Sequence, residues 1–483
     1  MTNPGIVARA TGRMEPKWRA FAAMAMTYFL LVAASSMSFL VLPDIAEDFD
    51  VTLRAVGWVV IIESLIVAAC LLPVGSLADR VGRRRILWWG MGIFGLGLVA
   101  TGLAPNFPLL IAARVVSATG NVLAQSVATG ILVAAFPPHE RGLAMGGQTT
   151  AVGAASASGP LIGGLLLGPL SWEWLFILLA IPVFATLVII PLVLDDDTVD
   201  PSTARGRGDR LGGVLAGLAI VLVVVTANNP FEFSWLSVPI VVGGMGAAAA
   251  IAAFVRHELG HETPMLDLRL FALPSFGAAV AVRVMGFAAS AATTLLIPIQ
   301  LISVRGLTSR TTGIVLACYA VGMAVSAQIS GRLYDRLGPR PSVVTGLTAQ
   351  AAVMATFAFT GLDTSLGLII PITIAAGLSL AMWNVPANSS MMGATSAASL
   401  GVVGAFTNVT RTFGSVLGQA AVAAIVAGVL ANQGFDIPLA DIADTPGADE
   451  SFIDGWRAAY LAAAGVSVAA LAPASRLPGR GRK

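Results

Sequence analysis

Of the 26 acidic residues in this 483-residue chain, 25 fall in polar stretches, tails or the ends of apolar runs, and only Glu63 sits well inside one. Three of the 28 basic residues, Arg114, Arg283 and Arg411, are inside apolar runs as well. An ionisable side chain in such surroundings is expensive and marks a functional position by default. Burial favours the neutral form of a carboxyl group, so Glu63 is the candidate proton carrier; the competing role is that of a static partner for an arginine. Arg114 is the candidate partner. Each of the two lies seven residues into its own run, a depth of about 10 Å at 1.5 Å per helical residue. An arginine beside Glu63 favours the ionised acid, which sets up a switch between a charged pair and a protonated carboxyl. Arg283 lies near one end of its run, where a long side chain can snorkel out.

The polar residues around these charges are spaced for single helix faces. Arg114, Ser117, Asn121 and Gln125 fall on one face, and Asn408, Arg411, Ser415 and Gln419 form a second stripe. Polar stripes on apolar helices face a cavity or hydrogen-bond to a neighbouring helix. Asn384 and Asn388 share a third face around Pro386, which either exposes carbonyls to a cavity or only kinks the helix. Tyr319 and Met323 complete the candidate cavity lining, with ordinary packing as the alternative.

Elements able to hold such groups follow from composition. Hydrophobic residues make up 56% of the chain and charged residues 11%, less than half the usual charged share, and the mean hydropathy is +0.84. Apolar stretches of roughly 20 residues span a bilayer. Fourteen are expected: 19–43, 56–78, 86–104, 107–135, 142–166, 173–194, 211–228, 234–255, 274–301, 311–331, 341–361, 365–387, 398–430 and 453–474. The first run continues past Ala33-Ala34-Ser35 and reads as a retained helix. With fourteen spans, 21 of the 28 Lys+Arg fall on the side of the two termini and four on the other, so both termini are expected in the cytoplasm. The far side collects Asp44, Glu47, Asp48 and Asp50, read as a solvated face. Residues 195–210 read as a polar linker, and no soluble segment is long enough for an enzyme. Cys70 and Cys318 lie in apolar runs and make neither a disulfide framework nor a metal cage. The near balance of charge shows no nucleic-acid footprint. With two lysines and no glycine-rich Lys-Ser/Thr loop, the chain has no nucleotide site. No metal or other cofactor is expected.

One segment occurs twice. Gly75-Ser76-Leu77-Ala78-Asp79-Arg80-Val81-Gly82-Arg83-Arg84 returns as Gly331-Arg332-Leu333-Tyr334-Asp335-Arg336-Leu337-Gly338-Pro339-Arg340, with six of ten positions identical at an offset of 256. Each copy follows the second span of a six-span half. The expectation is an all-α membrane protein: a six-helix bundle over 1–194, a linker with two inserted helices over 195–273, and a second six-helix bundle over 274–483. Such parallel halves rock about a site near the bilayer midplane. The glycines permit a tight turn, and Asp79 or Asp335 with the adjoining arginines can clasp helix ends as a conformational latch. Otherwise the arginines only set topology.

With these residues in place, the chain resembles the major facilitator superfamily, and its span count resembles the fourteen-helix drug:proton antiporter branch. Gly75–Arg85 resembles the family's loop signature, and Arg114 its span-4 arginine, with Ser117 and Ala118 where Gln and Gly are common. Trp58, Leu42-Pro43-Asp44-Ile45 and Trp172-Glu173-Trp174 resemble branch motifs. Gly159, Pro160, Gly163 and Gly164 resemble the span-5 antiporter signature, with Ala155 in place of its leading glycine. The branch often carries an aspartate within span 1; here Ala34-Ser35-Ser36 stands there. The resemblance implies a monomeric, multi-pass cytoplasmic-membrane exporter among lipids, of the multidrug-efflux and antibiotic-resistance type. It would move small hydrophobic or amphipathic compounds against protons by alternating access. Alternatives are export of a lipid or anionic amphiphile, metabolite uptake with different coupling, or a non-transporting sensor or scaffold.

Overall fold

The computed structural model describes residues 15–38, 41–51, 53–166, 170–194, 209–228, 237–261, 264, 266–307, 309–394, 400–435, 445 and 447–479. They form helices and no strands: α1 Pro16–Ser38, α2 Leu42–Asp48, α3 Leu53–Val81, α4 Arg83–Gly102, α5 Phe107–Ala135, α6 Arg141–Leu166, α7 Trp172–Val193, α8 Arg210–Asn228, α9 Val238–Gly260, α10 Pro274–Pro298, α11 Ser309–Leu337, α12 Pro339–Ala358, α13 Leu366–Gly393, α14 Leu400–Asn432, α15 Ala448–Ala469 and the short α16 Leu471–Ala474. Twelve are long and apolar enough to cross a membrane. Helices also stand at the other two expected intervals. These are α6, rich in Gly, Ser and Thr, and α8, whose apolar stretch Leu211–Thr226 is shorter.

The end of the first expected span, 19–43, is corrected at residues 42 and 43: Leu42 and Pro43 open α2, with residues 39–40 outside the described residues, and proline favours a helix's first turn because its missing N–H is an orphan there anyway. The acids that follow are not all simply solvated, since Asp48 Oδ2 accepts from the Trp172 indole.

The chain divides into two compact units. Unit 1 holds Met1–Val221, Ala248–Leu268 and Thr395–Asn408; unit 2 holds Leu222–Ala247, Arg269–Ala394 and Val409–Lys483. Within unit 1, α4 packs on α5 and α7, and α3 packs on α5. Within unit 2, α12 packs on α13 and α15, and α11 packs on α13.

The sequence repeat thus extends to structure. Helices α3 and α11 are both 29 residues long, α4 and α12 both 20, and each pair starts 256 residues apart. Between them stand Gly82 (φ 105°) and Gly338 (φ 81°), in a backbone region that a Cβ makes costly. Two more glycines at the same offset seal the helix pairs. A Cβ on Gly90 would lie 2.6 Å from Ala124 N, and one on Gly346 2.6 Å from Trp383 N. Neither neighbour is a side chain that can swing aside. Gly90→Ala and Gly346→Ala are each expected to lower stability by about 1–3 kcal/mol, the usual cost of overpacking. Thermal unfolding in detergent checks this, and unchanged melting would remove the glycines from the packing argument.

Candidate functional site

Unit 1 brings Glu63 and Arg114 together. Glu63 projects from the middle of α3 and Arg114 from the second turn of α5; they are 7% and 1% exposed. Arg114 Nη2 donates to Glu63 Oε2 in a buried ion pair. Asn121 Nδ2, two turns along α5, donates to Glu63 Oε1 at 2.9 Å. Ser35 Oγ from α1 donates to the same oxygen at 2.7 Å. Arg114 Nη2 also reaches Ser38 Oγ at 3.1 Å, and its guanidinium lies 5.5 Å from the centroid of the Phe176 ring. The carboxylate is therefore gripped from α1 and α5, as a buried charge requires. One turn beyond Asn121, Gln125 is buried; its Oε1 and Asn121 Oδ1 have no hydrogen-bond partner. The stripe on α5 faces the protein interior.

Ser35 and Ser38 are the members that sequence reasoning missed. So is a second polar contact in this unit, where Thr129 of α5 meets the Tyr28 hydroxyl at 2.5 Å and accepts from Gln148 Nε2 at 3.1 Å.

Unit 2 carries its charge differently. Arg283 does not snorkel: it is 3% exposed, its Nε donates to Thr410 Oγ1 at 3.0 Å, and its Nη1 donates to Asn384 Oδ1. Its guanidinium lies 5.3 Å from the Phe287 ring centroid, and Arg411 is within electrostatic reach. Position near the end of a run says nothing about which face a residue occupies, and this one faces α13 and α14. Asn384 is thus an arginine ligand, and Asn388 is buried one turn further along. Helix α13 runs unbroken through Pro371 and Pro386. On the part of α14 that belongs to unit 1, Asn408 Nδ2 bonds back to Gly404 O at 3.4 Å. Tyr319 packs against the large apolar cluster of this unit, and Met323 is buried on the same helix.

The duplicated segment has defined contacts in its first copy. Asp79 Oδ1 accepts from Arg83 Nε at 2.9 Å and Nη2 at 2.7 Å, and Asp79 Oδ2 accepts from the backbone N–H of Val402 at 3.1 Å. Val402 is the third residue of α14, and its N–H is one of those that a helix start leaves without an internal partner. Arg84 Nη2 donates to Pro191 O at 3.0 Å, beside Arg19 Nη2 on Leu192 O at 2.8 Å, so two cations meet the carbonyl end of α7. Gly75 is buried and Arg80 half-buried. In the second copy Gly331 is buried, Asp335 is half-buried, and Arg336 and Arg340 are exposed around Gly338.

Gly159, Pro160, Gly163 and Gly164 lie in α6. A Cβ on Gly159 would collide with Ser36 Oγ and approach Ala33 O at 3.2 Å, so this glycine lets α6 pack directly on α1.

Known proteins share both sequence and architecture with this chain. The multidrug resistance protein Stp of Mycobacterium tuberculosis is 29% identical over 80% of this chain and 71% of its own length. The riboflavin transporter RibZ of Clostridioides difficile is 26% identical over 84% and 88%. The crystal structure of the human organic anion transporter MFSD10 superposes with a TM-score of 0.69 at 14% identity, covering 95% of this chain and all of that one. The Major Facilitator Superfamily model matches residues 24–419. With that match spanning most of its length, the chain belongs to the Major Facilitator Superfamily, as a multi-pass membrane transporter of small molecules and not an enzyme.

Proposed function

We propose that this transporter is a fourteen-span drug:proton antiporter that exports small hydrophobic or amphipathic compounds. It works as a monomer in the cytoplasmic membrane, with both termini inside. The observation that carries the coupling is the contact between Ser35 and Glu63, 2.7 Å apart. In the branch this chain resembles, an aspartate often stands in span 1 where this chain has Ala34-Ser35-Ser36. Here α3 sets the Glu63 carboxylate against Ser35, beside that position. Arg114 and Asn121 stabilise it when ionised; on protonation the Arg114 attraction is lost, and the pair becomes a switch that the proton operates. Substrate class and direction rest on likeness to multidrug exporters such as Stp. The orientation rests on the arginine asymmetry, and the span count on helices at all fourteen intervals.

The test is transport in proteoliposomes. Glu63→Gln is expected to abolish uptake driven by a pH gradient while substrate counterflow continues, and Ser35→Asp in that background to restore pH-driven uptake. Normal pH-driven transport by Glu63→Gln refutes the assignment.

The Arg283–Arg411 neighbourhood favours a second reading, export of an anionic amphiphile or lipid, because two guanidinium groups within the helices suit a negative headgroup. Competition between cationic dyes and anionic amphiphiles separates the two.

A further inference from the structure

Two of the chain's three histidines lie outside everything described so far. His257 and His261 sit on the last turn of α9 and just beyond it, at the i, i+4 spacing that points two side chains the same way. Their rings are 5.2 Å apart, centroid to centroid. Facing them is Asp209, the residue before α8. Its Oδ1 caps that helix by accepting from Gly212 N at 2.7 Å and also meets His257 Nε2 at 2.7 Å. Ligand atoms of Asp209, His257 and His261 all lie within 4.8 Å of one another.

A second acid lies against the other oxygen of Asp209. Glu258 is 3% exposed; its Oε2 accepts from Leu266 N at 3.1 Å. Asp209 Oδ2 and Glu258 Oε1 are both buried with no hydrogen-bond partner. Both would collide with a Cβ on Gly212, so the two oxygens share one small space that exists only because residue 212 has no side chain. Two carboxylate oxygens this close stay both ionised only with a cation beside them; otherwise one of them holds a proton.

We infer that Asp209, His257 and His261 bind a divalent first-row cation, Zn2+ by preference, that staples the first turn of α8 to the last turn of α9. Two imidazoles and one carboxylate form a three-ligand set suited to Zn2+, with bonds of roughly 2.0–2.2 Å and the fourth tetrahedral position open to water. The cation replaces the Asp209–His257 hydrogen bond with shared coordination, and the C-terminal end of α9 favours positive charge. Through Glu258 and Leu266 the clip extends to the segment leading out of the helix pair.

The experiment uses the full-length protein in detergent, purified without a polyhistidine tag, and Co2+ as the probe. The expected result is one equivalent of Co2+ with the visible absorption of a tetrahedral site, displaced by Zn2+. His261→Ala, which leaves the Asp209 cap and its His257 contact in place, should weaken binding by more than the roughly 10–100-fold that loss of an outer-shell partner costs. His257→Ala and Gly212→Ala should do the same, and His139→Ala should not. Gel-filtration profiles identical to the parent's exclude misfolding as the cause. No visible band, a band unchanged in His261→Ala and His257→Ala, or a band lost only in His139→Ala overturns the site; the first of these assigns the shared space to a proton. The readout is independent of transport and survives failure of the proton-coupling assignment.

Discussion

Arg114→Met should destabilise the protein by about 3–5 kcal/mol, and Glu63→Gln combined with Arg114→Met should recover most of that loss. The figure is the usual cost of removing one partner from a buried ion pair, which exceeds the pair's net worth because a charge stays behind in low dielectric. Glu63 would keep Ser35 and Asn121 as donors, but neither carries a countercharge. The reverse single change is milder. In Glu63→Gln, Arg114 keeps Ser38 Oγ, the Val59 carbonyl at 3.4 Å and the Phe176 ring. The double variant leaves no uncompensated charge, and methionine fills much of the arginine's volume. Chemical unfolding of the four proteins in one detergent makes the double-mutant cycle. Strict additivity of the two single changes would mean that the carboxylate and guanidinium do not act as a pair.

How much of this was legible beforehand depends on what a one-dimensional pattern encodes. Depth is encoded, since rise per residue is constant, so Glu63 and Arg114 could be matched from seven-residue offsets in separate runs. Direction is not. Arg283 lies where snorkelling is open to it, yet it turns inward to Asn384 and Thr410. Hydroxyls give no signal either: Ser35 and Ser38 sit among small residues that read as helix packing, and only the fold reveals them as ligands of the charged pair. The repeat was legible as a motif because Asp79 and Asp335 share neighbours, and its reach into Gly90 and Gly346 was not, because a lone glycine in an apolar run looks the same whether or not another backbone lies against it. The Asp209–His257 contact joins residues 48 apart, from the start of α8 to the last turn of α9. Its one local trace is the i, i+4 spacing of His257 and His261, which carries weight only with an acid facing it. Apolarity also runs elements together: Leu42 and Pro43 read as the end of the first span although they open α2, because hydropathy does not register proline's preference for a helix's first turn.

Asp79→Ala should release the start of α14. The Asp79 carboxylate does two things at once: one oxygen holds Arg83, the other accepts the Val402 N–H. In effect it is a helix cap supplied by another helix, with its charge at the positive end of the α14 dipole. Losing a cap costs about 0.5–2 kcal/mol, and losing a hydrogen bond to a charged group about 1.5–3 kcal/mol. Both figures describe the one Asp79–Val402 bond, so the conformer that contains it is disfavoured by roughly 0.5–3 kcal/mol, and since about 1.4 kcal/mol is tenfold, its population falls by about two- to a hundredfold against any conformer that lacks it. A ligand or proton that drives the cycle works against that shifted equilibrium, so turnover drops even though the Glu63 site is intact. Asp79→Asn keeps an acceptor for the amide but loses the charge, and should fall between the two. Hydrogen exchange at Val402 checks the contact: protection is lost in Asp79→Ala and partly kept in Asp79→Asn. If exchange at Val402 is unchanged while transport is lost, the aspartate acts through Arg83 alone, and the conserved feature of the two segment copies is the Asp–Arg pairing within each loop rather than a grip on a distant helix start.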